Sequence, residues 1–238
     1  MPEMNRDMEM EKDVYDVCRK WLSKDRTGIH VSDLISPRQA FLKKMHGNRV
    51  SDGQVGKFVA GIAHHGILES MVVKYGDTSE KKVNFEGIFG SIDATRNGFP
   101  VEIKTSRAWK STMISDDYIK QLKMYCVLLN KTKGYIMIFF LSTKEDATDE
   151  NGDTKTVYGP KIVCHEIVFT EDEIKIEKEN MLNNKEVLAY ALNNKDGTQL
   201  PKCAKWKCAD CGYKVECKEI DAPRVIPVEG STLTFIGK

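Results

Sequence analysis

A chain of 238 residues is long enough for one well-buried domain with additions, or for two small ones. It is 41% hydrophobic and 30% charged with a formal net charge of +1, which excludes global disorder and shows no bulk basic surface for nucleic acid. The longest strongly apolar run, Tyr135 to Leu141, is far short of the roughly 20 residues of a membrane span; with an acidic N-terminus, this points to a cytoplasmic protein without a membrane partner.

In chain order, Asp13 to Leu22 predicts a short helix, with a turn at Asp25 to Gly28. Ser36 and Pro37 are helix-start residues, so a second helix is expected from Arg38 to about Met45. The proline-free stretch Val55 to Val73 predicts a longer helix, and Val83 to Thr95 and Val101 to Thr105 predict two strands. Ser115 to Asn130 carries Ile119, Leu122, Cys126 and Leu129 at helical spacing. Tyr135 to Leu141 is expected as a buried strand, Lys144 to Asp153 as an acidic surface loop, and Lys161 to Phe169 as a further strand. Thr170 to Glu173 is a capping-box pattern that opens a helix through Leu192.

The segment that carries chemistry is the hairpin around Asn97-Gly98, two residues that tolerate positive φ. A turn there sets the register so that Asp93 lies opposite Glu102 and Ser91 opposite Lys104, with Glu102 and Lys104 on one face and Val101 and Ile103 turned to a core. Two facing carboxylates suit a hard divalent cation, Mn²⁺ or Mg²⁺, and the adjacent amine could activate water or stabilise charge on a phosphate. An exposed, salt-bridged hairpin is the alternative on spacing alone.

Four of the seven cysteines cluster as Cys203-x₄-Cys208-x₂-Cys211-x₅-Cys217, a set able to bind zinc or a cubane iron–sulfur cluster. Lys202, Lys205, Lys207 and Lys214 are expected to lower the thiol pKa values. Basic patches that could touch DNA are Arg38, Lys43, Lys44 and Arg49, then Lys104, Arg107 and Lys110, then the lysines of the cysteine module; Arg38 and Arg107 are the expected phosphate contacts.

Other motifs stand in the same order as in a known family. Gly61 to Glu69 resembles the G-x₃-H-x₃-E helix of RecB-like nucleases of the PD-(D/E)XK type, and Gln121 to Tyr125 resembles their Q-x₃-Y motif. The chain is most similar to the CRISPR-associated Cas-four-type nucleases and their viral and replication-linked relatives. The resemblance implies an α/β core of a mixed central sheet flanked by helices, and hydrolysis of DNA phosphodiesters, with a single-stranded end as substrate and exonuclease activity. It implies a metal site from His65, Asp93, Glu102 and the carbonyl of Ile103, with Lys104, Gln121 and Tyr125 in the catalytic machinery. His64 points about 100° away around its helix. It also implies a 4Fe-4S cluster, with zinc as the alternative, on Cys203, Cys208, Cys211 and Cys217. The family's upstream cysteine is here Ser36, ahead of Pro37 and Arg38, so Cys203, or less favourably Cys18, supplies the fourth ligand. CRISPR-adaptation or helicase and recombination proteins are the implied partners. The expected organisation is a helical segment over 1–50, a nuclease core over 51–198, a cysteine module over 199–219 and a tail over 220–238. A non-catalytic zinc-module DNA-binding or scaffold protein is the competing reading.

Overall fold

The computed structural model describes residues 7–22, 26–75, 78–107, 114–148 and 151–221. Lys110 and nearly all of the expected 220–238 tail lie outside them. Helices α1 (Met8–Leu22), α2 (Val31–Ile35), α3 (Pro37–His46) and α4 (Asp52–Tyr75) come first, with the two-residue strand β1 (Ile29–His30) before α2. Pro37 stands in the first turn of α3, where its missing N–H costs nothing. Strands β2 (Thr78–Phe85), β3 (Ile88–Arg96) and β4 (Phe99–Ser106) follow, then α5 (Asp116–Leu129), β5 (Lys133–Thr148), β6 (Thr154–Val168), α6 (Glu171–Asn194) and α7 (Lys214–Asp221). The capping box at Thr170 forms as expected, with Thr170 Oγ1 accepting from the Glu173 amide and the Glu173 carboxylate accepting from the Thr170 amide.

The strands make one mixed, six-stranded sheet in the order β1-β3-β4-β5-β6, with β2 also pairing β3. The β4–β5 pair is parallel, so the chain must cross over between them, and α5 is that crossover. Both sheet faces are covered. On one, Leu68 of α4 packs with Ala94, Val101 and Ile103, joined by Tyr135, Met137 and Phe139. On the other, Leu122 and Cys126 of α5 pack on Ile136, Ile138 and Phe140, so the two faces of β5 alternate in period two. A larger cluster ties α2, α3 and α6 to the Ile88–Ile92 end of β3. Among the described residues no helix is long and apolar enough to cross a membrane.

Two expectations need correction. The single strand expected over Val83 to Thr95 is two strands, folded back at Glu86 and Gly87, both at positive φ. The acidic segment expected as a loop from Lys144 to Asp153 is strand over its first half, because β5 runs to Thr148 before its partner resumes at Thr154. Cross-strand pairs such as Lys144 with Tyr158, and the bond from Thr156 Oγ1 to Asp146 Oδ1, hold polar residues in a ladder that their composition does not suggest.

Candidate active site

The site grows from a gap in the sheet. Along one edge β3 pairs with β2 from Thr95 back to Ile88, with Asp93 alone left out of the register. The opposite edge is shared: β1 takes Ile88 and Phe89, and β4 takes Ala94, Thr95 and Arg96. Residues 90–93 therefore have no ladder partner on that side. The Asn97-Gly98 turn forms with both φ values positive, and its register is the expected one, Arg96 with Phe99, Thr95 with Pro100 and Ala94 with Val101. It stops there, one step short of the expected pairing of Asp93 with Glu102.

Side chains occupy the gap instead. Asp93 Oδ2 accepts from the Ile103 amide at 2.7 Å, taking the place of a strand-to-strand bond. Tyr125 of α5 donates its hydroxyl to the Ser91 carbonyl at 2.7 Å, and Gln121, one helical turn earlier, donates to that hydroxyl at 3.0 Å. Gly90 makes this approach possible, since a Cβ there would come within 2.6 Å of Leu128 and 3.3 Å of the Tyr125 ring. Tyr125 is 4% exposed and burial raises its hydroxyl pKa, so it serves as a neutral hydrogen-bonding strut. Tyr125→Phe should lower stability by about 1–2 kcal/mol, read from denaturant midpoints, because it removes the donor to a half-buried carbonyl; an unchanged midpoint would mean that Ser91 is satisfied without it.

Around the gap the titratable groups converge. Asp93 Oδ1 lies 3.6 Å from His65 Nε2, which is also 3.9 Å from Glu69 one turn further along α4. Glu69 in turn accepts from the Glu80 amide of β2. His64, the next residue on α4, turns to Phe139 and the Ala60 carbonyl, away from the carboxylates. Glu102 is fully buried and ion-paired through Oε1 with Lys104, while its Oε2 has no hydrogen-bond partner among the described residues. Lys104 also lies over the Tyr118 ring, 5.6 Å from its centroid. Tyr118 was not singled out from the sequence, where nothing but its position one turn before Gln121 marks it.

Burial dominates the electrostatics. It pushes the Glu102 carboxyl up to about 7, against the pull of Lys104 and with a further push from Asp93. Asp93 is raised chiefly by burial as well, against Lys104 and His65. Burial would lower Lys104, but the Glu102 and Asp93 charges outweigh it and leave the ammonium raised and firmly charged. A buried, ionisable carboxylate with an oxygen left without a partner is a costly arrangement unless a cation completes it. Two carboxylates and an imidazole supply the donor set for a hard or borderline divalent ion, so these residues fit one chemically. Among the described residues no three His, Cys, Asp or Glu side chains are already drawn together in a metal-holding arrangement.

The remaining expected residues divide. Ile103 is buried, with its amide given to Asp93. Arg107 is exposed just beyond the end of β4. Arg38 is no surface phosphate contact: it is 4% exposed, donates to the Leu200 carbonyl at 2.9 Å and pairs with Asp221 at 2.7 Å. Arg49 likewise pairs with Glu216.

The cysteine segment packs against the same region. Cys211 and Cys217 contact the large core cluster, Cys203 is half-buried beside Ser36, and Cys208 is exposed. Contrary to expectation, burial raises the Cys203 thiol, outweighing the Gln39 amide and Lys207. Three of the lysines also have other partners: Lys202 pairs with Asp221, Lys207 with Asp117 and the Ser36 hydroxyl, and Lys214 donates to the Ala209 carbonyl. Cys18 lies on α1, which packs on α4.

No family model matches the chain, and no curated protein matches it at a significant level. Solved structures do. The crystal structure of SSO0001 superposes with a TM-score of 0.55 at 23% identity, covering 90% of this chain and 98% of that one, so the two share a fold. Similar to a lesser degree are an alkaline exonuclease, LHK-Exo, from Laribacter hongkongensis (TM-score 0.43, 13% identity, 71% of this chain and 93% of that one) and a phage-related exonuclease from Haemophilus somnus 129PT (TM-score 0.40, 13% identity, 69% and 83%).

Proposed function

We propose that this chain is a divalent-metal-dependent nuclease that hydrolyses DNA phosphodiester bonds, of the RecB-like, PD-(D/E)XK kind its motifs resemble. The observation that carries the reading is Glu102, fully buried with an oxygen lacking a partner, beside Lys104 and in the electrostatic reach of Asp93. Asp93, Glu102 and His65, with the Ile103 carbonyl, would hold Mn²⁺ or Mg²⁺, which supplies Lewis acidity toward a phosphoryl oxygen and a lowered water pKa. Lys104, kept charged by Glu102 and Asp93, stabilises negative charge growing on the phosphate. Gln121 and Tyr125 hold α5 against β3 and so fix the wall from which Tyr118 meets Lys104. They act as positioning residues.

The finer reading follows the resemblance: a single-stranded end as substrate, exonuclease action, and association with CRISPR-adaptation or helicase and recombination proteins. The four thiols Cys203, Cys208, Cys211 and Cys217 match the donor chemistry of a 4Fe-4S cluster or zinc, and the half-buried Cys203 beside Ser36 takes the place of the family's upstream cysteine. A broad brown visible absorbance distinguishes the cluster from colourless zinc.

The test is cleavage of end-labelled single strands with Mn²⁺ or with EDTA. Metal-dependent release of mononucleotides or short products from an end supports the reading; intact strands at every metal concentration favour the zinc-module binding protein.

A pH signature accompanies it. Since folding raises the Glu102 carboxyl from an ordinary 4.5 to about 7, its contribution to stability is complete below pH 4.5 and is lost as pH rises through 7. The loss is about 3 kcal/mol for the metal-free protein. Metal binding needs the ionised form, so the rise in Tm on adding Mn²⁺ should be larger at pH 8 than at pH 6. Thermal melts across that range would show this, and an increment independent of pH would contradict it.

A further inference from the structure

Helix α1 carries more apolar surface than its packing on α4 covers. Its half-buried residues Glu11, Tyr15, Cys18 and Leu22 recur at helical spacing and mark the side turned to α4, and the ion pair of Arg19 with Asp52 pins its last turn to the start of that helix. Met10, Val14 and Val17 form a second stripe, about 100° round the helix from the first. They are 65%, 53% and 70% exposed, so among the described residues nothing covers them. Steps of four and then three residues are the spacing of a coiled-coil seam, which keeps apolar side chains aimed at a neighbouring helix.

The charges of α1 say which neighbour fits. Its first half and the residue before it carry Asp7, Glu9, Glu11 and Asp13 against Lys12 alone, and its second half carries Arg19 and Lys20 against Asp16 alone. A helix acidic at one end and basic at the other is complementary to itself turned end for end, and two such helices also oppose their dipoles favourably. A parallel copy would set acid against acid, and a nucleic acid would meet the acidic half with its own phosphates. Asp13 and Lys20 are both exposed and stand seven residues apart, on the same flank of the seam. With Val14 facing Val17 of the partner subunit across a two-fold axis, Asp13 comes beside Lys20 of the partner subunit, and the contact occurs twice. On α4, Phe58 and Ile62 are exposed one turn apart and add apolar surface to the helix on which α1 rides.

We propose that α1 is a dimerisation helix, and that its Met10, Val14 and Val17 stripe docks on α1 of a second copy of this chain, antiparallel to it. The inference does not depend on the nuclease reading. A contact between two 15-residue helices lies at the small end of specific interfaces, so the dimer should dissociate in the micromolar range.

The test is sedimentation equilibrium of the full chain from about 1 to 100 µM, a range that brackets such a dissociation constant. The wild type should pass from monomer to dimer across it. Val14→Glu/Val17→Glu should stay monomeric throughout while keeping the wild-type melting temperature at low concentration, because both positions are exposed. Asp13→Lys and Lys20→Asp should each weaken the dimer about tenfold, since each turns two symmetry-related attractions into repulsions. Combined in one chain, the two reversals should restore wild-type association to within about threefold. The charge variants carry the test if the valine variant fails to fold. A wild type that is monomeric at every concentration would overturn the proposal and leave the stripe to a different protein. Dimers indifferent to the valine changes would place the interface elsewhere, and a charge-reversed pair weaker than either single variant would refute the antiparallel arrangement.

Discussion

Glu102→Gln is expected to lower Mn²⁺-supported cleavage of single-stranded DNA by about a thousandfold, with the protein still folded. The substitution keeps the volume of the side chain and removes one charge from a wholly buried position beside Lys104. Two consequences add in the same direction. The metal loses an anionic oxygen, and the neighbouring ammonium loses the charge that keeps it raised and protonated. Losing a single preorganised electrostatic group typically costs on the order of 10²–10³ in rate, and here one residue serves both metal and lysine. Single-turnover cleavage with saturating protein measures the chemical step directly. Activity within about threefold of wild type would mean that Glu102 is structural.

Leu122→Ala is expected to destabilise the fold by about 3–5 kcal/mol, the range for truncating a fully buried leucine with little room to collapse. Leu122 is 0% exposed and fills the space over Gly134, where a Cβ would approach its Cδ1 to 2.7 Å and the Pro100 carbonyl to 3.0 Å. It locks α5 onto the parallel β4–β5 pair. For a domain of this size the fall in Tm is roughly 6–20 °C, checked by calorimetry without added metal. Because Gln121 and Tyr125 ride on the same helix, cleavage by this variant should also fail at a lower temperature than that of the wild type.

The hairpin was legible because its determinants are local. Asn-Gly needs no distant contact to set a turn, so the register from Arg96 with Phe99 to Ala94 with Val101 follows from the sequence. Where the ladder stops was not legible, because it depends on β1, which claims Ile88 and Phe89 from more than fifty residues upstream. The same holds for Arg38: its charge reads as a surface group, and only the arrival of Leu200 and Asp221 draws it inward. At Glu86-Gly87 the first residue of the turn carries an unusual side chain for positive φ, so an unbroken strand was the natural expectation. The acidic stretch after Lys144 has a loop's composition and becomes strand because its antiparallel partner runs beside it. Within the site, Asp93, Glu102 and Lys104 came from spacing, and His65, Gln121 and Tyr125 from the family pattern. Tyr118 carried no signal beyond its place one turn before Gln121, since an aromatic over an ammonium is a relation between α5 and β4.

Mn²⁺ binding to the metal-free protein at pH 8, followed by calorimetry or by loss of the free-ion paramagnetic resonance signal, reaches the central claim without depending on substrate, polarity or partners. The wild type should take up the ion at this centre, with affinity at least tenfold weaker in Asp93→Asn and in Glu102→Gln. Equal uptake by the wild type and both variants would show that these carboxylates hold no metal.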